Sequence, residues 1–415
     1  MPSLDYEQAA NVSRRLEERL VSGLDTPVDR RTVLGGLGVA GSAALGIGGA
    51  SADDDHEESG HGNFGAVDEY RDLDFDPHEF LSSFNTGAEG QDNVEQEIYE
   101  EDGQTVRHYQ ITAVDTTIEI APGVEFPAWA YNGQVPGPTL RAVEGDLIRV
   151  TFNNYGSHAH TIHPHLKNLT PEMDGIPQNG PGVLEVEDDA FTYEWPADPA
   201  GVHFYHCHSL PLKEHVHRGL YGVFVIDPDP ERVRENPRDY VNYQGPISDE
   251  YREQLVERAK RRNHEYPESD EVQEHVMVMN SFDTDFDGAN EVYAANTRAF
   301  AYGVGETDGT GEWEAGETKR PIQIDKDRPQ RIYLVNATEF DLINSFHTHS
   351  QFFDYYDHGT TLQPTHKTVD TIMQCQAQRG IIELDYSDHE PGLYMFHAHQ
   401  SEFAELGWMS FFEVV

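Results

Sequence analysis

The stretch HFYHCHSL, residues 203–210, decides how this chain is read. In extended backbone, side chains at i and i+2 share a face roughly 6.6 Å apart, and the residue between them faces the other way. A strand here presents His206 and His208 together and sends Cys207 to the opposite side. Two imidazoles in front and a thiol behind let one short peptide serve two metal centres.

Three more His-X-His pairs lie along the chain: His163 and His165 in HTIHPH, His347 and His349 in NSFHTH, and His397 and His399 in PGLYMFHAH. Eight imidazoles exceed what one tetrahedral zinc uses, and nitrogen-rich ligation suits copper, which heads the divalent affinity order. A cluster of several coppers is the economical reading. The pairs fall into two similar halves, as an internal duplication produces.

His160 has the opposite parity from His163 and His165, so it faces the same rear space as Cys207. His215 follows Cys207 by eight residues, after a loop containing Pro211, and Leu220 lies five further on. His160, Cys207 and His215 make a trigonal blue-copper set, with Leu220 in the slot where an axial Met often sits. A non-ligating Leu there raises the reduction potential. The second half carries Asn344 and Ala398 where His160 and Cys207 stand in the first, so the rear set is expected once only.

Around these motifs the sequence alternates in strand fashion (HYQITAV, TTIEIA, FPAWAYNG, DLIRVTFNN), punctuated by Gly, Pro, Asn and Asp. Short strands at close spacing indicate an all-β sandwich. The expected organisation is a signal region at 1–52, an acidic and mostly disordered segment at 53–103, a β domain at 104–228, a linker at 229–272 and a second β domain at 273–415. Within the linker, Ser248 to Tyr266 has a capping Ser, acidic residues in the first turn and basic residues late, which predicts one surface helix.

The 415 residues carry 75 acidic against 28 basic side chains, a net charge of −47. Such a surface excludes nucleic acid and anionic membranes as partners and suits a solvated protein in concentrated salt, where screening reaches a few ångströms. Two cysteines are too few for a disulfide framework. With Cys207 a ligand, Cys375 is expected to be unpaired, as a small buried hydrophobe. Near the N-terminus Arg30 and Arg31 precede a Gly/Ala-rich run ending in Ala-Ser-Ala at 50–52. This looks like a twin-arginine export signal, which predicts a folded, cofactor-loaded protein outside the cell or at its surface, with no membrane attachment once the signal is removed. An uncleaved anchor is the alternative.

Four His-X-His pairs, His-Cys-His and a downstream His resemble the multicopper oxidases, in particular two-domain laccase-like forms with a type 1 copper in the first cupredoxin domain only. Copper nitrite reductases are structural cousins. The resemblance covers roughly Thr105 to Val415, including FPAWAYNGQVPGPTLRAVEGDLIRVTFNN (Phe126 to Asn154). It implies two cupredoxin-like Greek-key β-sandwich domains and about four coppers per chain. His160, Cys207 and His215 would hold type 1 copper, and His163 and His347 type 2. His165, His206, His208, His349, His397 and His399 would hold the type 3 pair. It further implies a homotrimer with clusters at subunit interfaces, one-electron oxidation of an unidentified reductant, and reduction of dioxygen to water. Because cleaving dioxygen consumes protons, a nearby carboxylate is useful. Asp174, nine residues after His165, and Glu402, three after His399, are the candidates. A copper nitrite reductase is the nearest rival, but it uses one type 2 copper and leaves His208 and His349 surplus. A copper-binding electron carrier without turnover is the rival of another class.

Overall fold

The computed structural model describes residues 75–88, 94–186, 188–304 and 320–415. The twin-arginine stretch lies outside the described residues. Among those described, no helix is long and apolar enough to cross a membrane.

The first domain runs α1 (Pro77–Ser82), β1 (Phe84–Asn85), β2 (Gln96–Glu101), β3 (Gln104–Ala121), β4 (Val124–Tyr131), β5 (Thr139–Val143), β6 (Leu147–Asn154), β7 (His163–Pro164), β8 (Phe191–Pro196), β9 (Gly201–His206), α2 (Leu212–His217) and β10 (Tyr221–Asp227). One sheet is ordered β1-β5-β10-β9-β7, the other β2-β3-β6-β8 with β4 on β3. Period-2 patterning explains the layers. In β6, Ile148, Val150 and Phe152 are buried while Arg149 and Thr151 lie nearer solvent. β10 is buried at every position because it has cover on both faces. Phe224 and Ile226 enter the first domain's own core, whereas Tyr221, Val223 and Val225 pack with Val276, Val278 and Val335 of the second.

The connection holds α3 (Pro230–Glu235) and α4 (Asp249–Arg262). The second domain runs β11 (Gln273–Phe282), β12 (Val292–Ala295), β13 (Ile322–Ile324), β14 (Gln330–Asn336), β15 (Ile343–Thr348), β16 (Phe353–Asp357), β17 (His366–Val369), β18 (Thr371–Cys375), β19 (Arg379–Leu384), β20 (Gly392–His397), α5 (Ser401–Glu405) and β21 (Met409–Val414). Its sheets are β12-β11-β14-β19-β16-β17 and β13-β21-β20-β15-β18. Two facing sheets per domain make the all-β, cupredoxin-like sandwich pair.

Three differences from the sequence reading have plain causes. Ordered structure begins before residue 104: α1 is capped by Asp76, which accepts from the His78 N–H at 2.7 Å, and Phe80 and Leu81 are buried, while β2 pairs with β3. α4 starts at its Ser248 cap as expected but stops at Arg262. There Asn263 turns to donate from Nδ2 to Pro228 O at 3.0 Å, and Arg262 reaches Glu383 at 3.4 Å. Cys375 is exposed, because in β18 Ile372 and Gln374 take the inward face.

A buried ionic network joins linker and domains. Arg141 pairs with Asp227 at 2.9 Å and Glu274 at 2.7 Å, and Arg331 with Glu274 at 2.9 Å and Glu383 at 3.0 Å. Ions this deep tolerate burial only when each has a partner, so the network holds the two sandwiches in one register.

Candidate metal centres

β9 places the central peptide. Its Tyr221↔His206 register with β10 sets Cys207 beside Leu220, and the Cys207 N–H donates to Leu220 O at 3.0 Å. Residues opposed across an antiparallel ladder share a face. Fully buried Leu220 thus sits beside Cys207. α2, six residues long, then brings His215 back beneath the strand.

Cys207 Sγ lies 3.2 Å from His215 Nδ1 and 3.9 Å from His160 Nδ1, and the two nitrogens are 3.2 Å apart. A point equidistant from all three lies about 2 Å from each, the length of a metal–nitrogen bond. The Thr161 and Ser209 N–H groups donate to the sulfur at 3.4 and 3.5 Å. Burial holds His160 down to about 3 and His215 to about 4, so both rings are neutral donors at pH 7, and it pushes the Cys207 thiol up. A buried thiol that ionises only with a cation beside it, flanked by two neutral imidazoles, fits a soft metal ion.

The front face carries the first histidine cluster. His163 opposes His206 across β7 and β9. Ring centroids of His163 lie 5.2, 5.3 and 5.3 Å from those of His165, His206 and His208. His165 and His206 bring their Nε2 atoms within 3.1 Å. The second domain repeats the arrangement. His347 opposes His397 across β15 and β20, its ring lies 5.1, 5.3 and 5.1 Å from those of His349, His397 and His399, and the Nε2 atoms of His349 and His397 are 3.0 Å apart. Main-chain carbonyls orient the rings: His163 Nδ1 donates to Asp174 O at 2.7 Å, His206 to Cys207 O at 2.7 Å and His347 to Asp370 O at 2.9 Å. Each such bond leaves Nε2 free for a metal. Burial lowers His206 to about 3 and His165 to about 2, leaving both uncharged.

Among the described residues, each domain gathers its own four rings, and no ring of one cluster pairs with a ring of the other. The second cluster is also the more open, with His349 and His399 exposed. Behind it lies no rear donor set: Ala398 and Asn344 are fully buried, and Phe403 and Trp408 fill the core around Ala398.

Asp174 has its Oδ1 3.2 Å from His163 Nδ1. Glu402 lies exposed on α5, where its charge is felt by Tyr293. His158, His203 and His217 differ in their surroundings. The ring of exposed His158 lies tilted against Trp129 at 4.4 Å, His203 faces Arg379, and His217 Nε2 accepts from the Asp283 N–H at 2.9 Å. Sequence reasoning missed Trp129, whose ring lies 4.7 Å from His215 and 5.5 Å from His160, Thr161 beside the sulfur, and Arg379 beside His165. None carries a spacing signal, since all three act through tertiary contact.

Residues 112–231 and 283–415 each match a family model described as multicopper oxidase. A solved structure titled as a multicopper oxidase is 40% identical, covers 82% of this chain and 97% of its own, and superposes with a TM-score of 0.62. Copper resistance protein A of Escherichia coli is 31% identical over 38% of this chain and 25% of its own length. A copper-containing nitrite reductase of Neisseria meningitidis serogroup A is 28% identical over 29% of this chain and 30% of its own. The chain spans about a quarter of the length of the curated relatives it matches. With both halves matched and its histidine pairs in place on both sandwiches, the chain belongs to the multicopper oxidase family.

Proposed function

We propose that this protein is a copper-dependent oxidoreductase that couples one-electron oxidation of a small reductant to reduction of dioxygen to water. The observation that carries it is the single peptide His206-Cys207-His208, with its sulfur in a sealed thiol–imidazole triangle and its imidazoles in a separate histidine cluster. His160, Cys207 and His215 would hold a type 1 copper, with Leu220 as a non-ligating neighbour. His163 and His347 would hold type 2, and His165, His206, His208, His349, His397 and His399 the type 3 pair. Copper in these places would supply the one-electron chemistry of the reaction.

The chain's own residues do the rest. The His206 Nδ1–H to Cys207 O bond ties the two sites through one peptide. Burial of the triangle keeps water from the sulfur. Asp174, touching His163 through both its carbonyl and its carboxylate, would hold and release a proton at Oδ1. Glu402, three residues after His399, would be the second proton donor.

Completing the cluster takes a second copy. His347 and His397 share the outward face of their sheet with Ile343, Met373 and Leu393, which are 38, 61 and 50% exposed. An apolar face around an open half-set of ligands fits docking against the first domain of another copy, closing as a homotrimer. The twin arginine supports export to the cell surface or beyond, and the acidic surface suits concentrated salt.

Copper counting and oxygen uptake test the reading. An oxidase holds about four coppers per chain, against about two for a nitrite reductase. The expected result is a blue protein that consumes dioxygen with a phenolic or metal-ion reductant and loses both colour and uptake as Cys207→Ser. A blue protein with no uptake would be an electron carrier, and one that reduces nitrite with about two coppers a nitrite reductase.

A further inference from the structure

Four of the oriented rings place Nδ1 against a carbonyl oxygen: His163, His206, His347 and His397. His165 does not. Its Nδ1 lies 3.4 Å from a guanidinium nitrogen of Arg379, a residue of the second domain at the start of β19. A guanidinium only donates, so this ring, unlike those four, faces a cation instead of a carbonyl.

Arg379 is fixed by the main chain on both sides of the domain seam. Its Nε donates to Val202 O of β9 at 3.1 Å, and one terminal nitrogen to Ala377 O at 3.2 Å. The other terminal nitrogen donates to His203 Nδ1 at 3.4 Å and approaches His165 O at 3.5 Å. The His203 bond is well defined, since His203 Nε2 donates to Pro199 O at 2.8 Å and leaves Nδ1 to accept. Among the described residues no carboxylate lies within ion-pairing distance of Arg379, although Asp357 contributes a weaker field. The duplication supplies a control, because His349, the counterpart of His165, is exposed and has no such cation beside it among the described residues.

A partly buried cation held by carbonyls rather than carboxylates keeps its field unneutralised. At a site that gains electrons, that field favours the reduced state. We propose that Arg379, reaching across from the second domain, sets by its charge the reduction potential of the metal site His165 serves. The proposal rests on the copper reading above.

The test is a redox titration of the copper-loaded holoprotein, followed optically and by electron paramagnetic resonance, with the type 1 centre as internal control. Arg379→Met should favour the oxidised cluster by about tenfold in its redox equilibrium, the effect of one unit charge near a partly buried site, with the type 1 potential unmoved. Arg379→Lys, which keeps charge but not the fork, should stay close to wild type in potential. If Arg379→Met does not fold, Arg379→Gln against Arg379→Lys asks the same question. An Arg that merely braces the seam would give both variants a lower melting temperature with the cluster potential unchanged, and that result overturns the proposal. Wild-type protein that binds no copper would overturn the copper reading instead.

Discussion

Charging the open face of the second domain should separate the two kinds of copper site. Met373 is 61% exposed and Leu393 50% exposed, on strands flanking the one that carries His347. Burying the remaining half or more of each side chain is worth about 1 kcal/mol apiece, from about 1.5–3 kcal/mol for a whole side chain. A carboxylate placed there adds a desolvation penalty of a few kcal/mol. Met373→Glu with Leu393→Glu should therefore weaken each interface by about 3 kcal/mol or more, a factor of about 100 or more in association. The sealed triangle, built wholly from the first domain, is untouched. Sedimentation velocity with copper analysis should show monomers that stay blue, keep about one copper per chain and no longer consume dioxygen. Exposed Cys375, on the same face, should then react with a thiol reagent faster than in the wild type, while buried Cys207 stays silent. A charged variant that remains trimeric with its full copper content, or a wild type that holds the full complement as a monomer, would refute this reasoning.

Leu220→Met should lower the type 1 potential, read by redox titration, because a thioether replaces an inert methyl beside Cys207; an unchanged potential would remove Leu220 from the axial slot. Asp174→Asn should cut oxygen turnover by about a hundredfold with colour intact, in line with loss of a positioned proton donor, and Glu402→Gln by less; equal rates in Asp174→Asn and wild type end the proton role. The metal-free protein should lose stability as the pH falls. His160 and His206, both near 3 when folded, lie below the unfolded value of about 6.5, so the unfolded chain binds more protons across that window. Stability is full above about pH 6.5 and declines by about 2 kcal/mol per group by pH 5, measurable as a falling melting temperature. A flat profile from pH 7 to 5 contradicts neutral burial of these rings.

The sequence by itself determined the donor chemistry. Parity along an extended peptide is a local property, so Cys207 could be separated from His206 and His208, and His160 from His163 and His165, before any fold was known. The duplicated pairs, the missing rear set at Asn344 and Ala398, and the Ser248 helix start were legible for the same reason: spacing and capping act within a few residues. Tertiary structure alone decided what crosses between segments. That α2 folds His215 back to close a triangle on Cys207, that Trp129 covers it, and that Arg379 reaches His165 across the seam all depend on packing residues far apart in the chain. Cys375 shows the boundary most clearly. Its type predicts burial, but which face of β18 looks inward is set by the sheet on which that strand lies, and the register turns Ile372 and Gln374 inward and the thiol out.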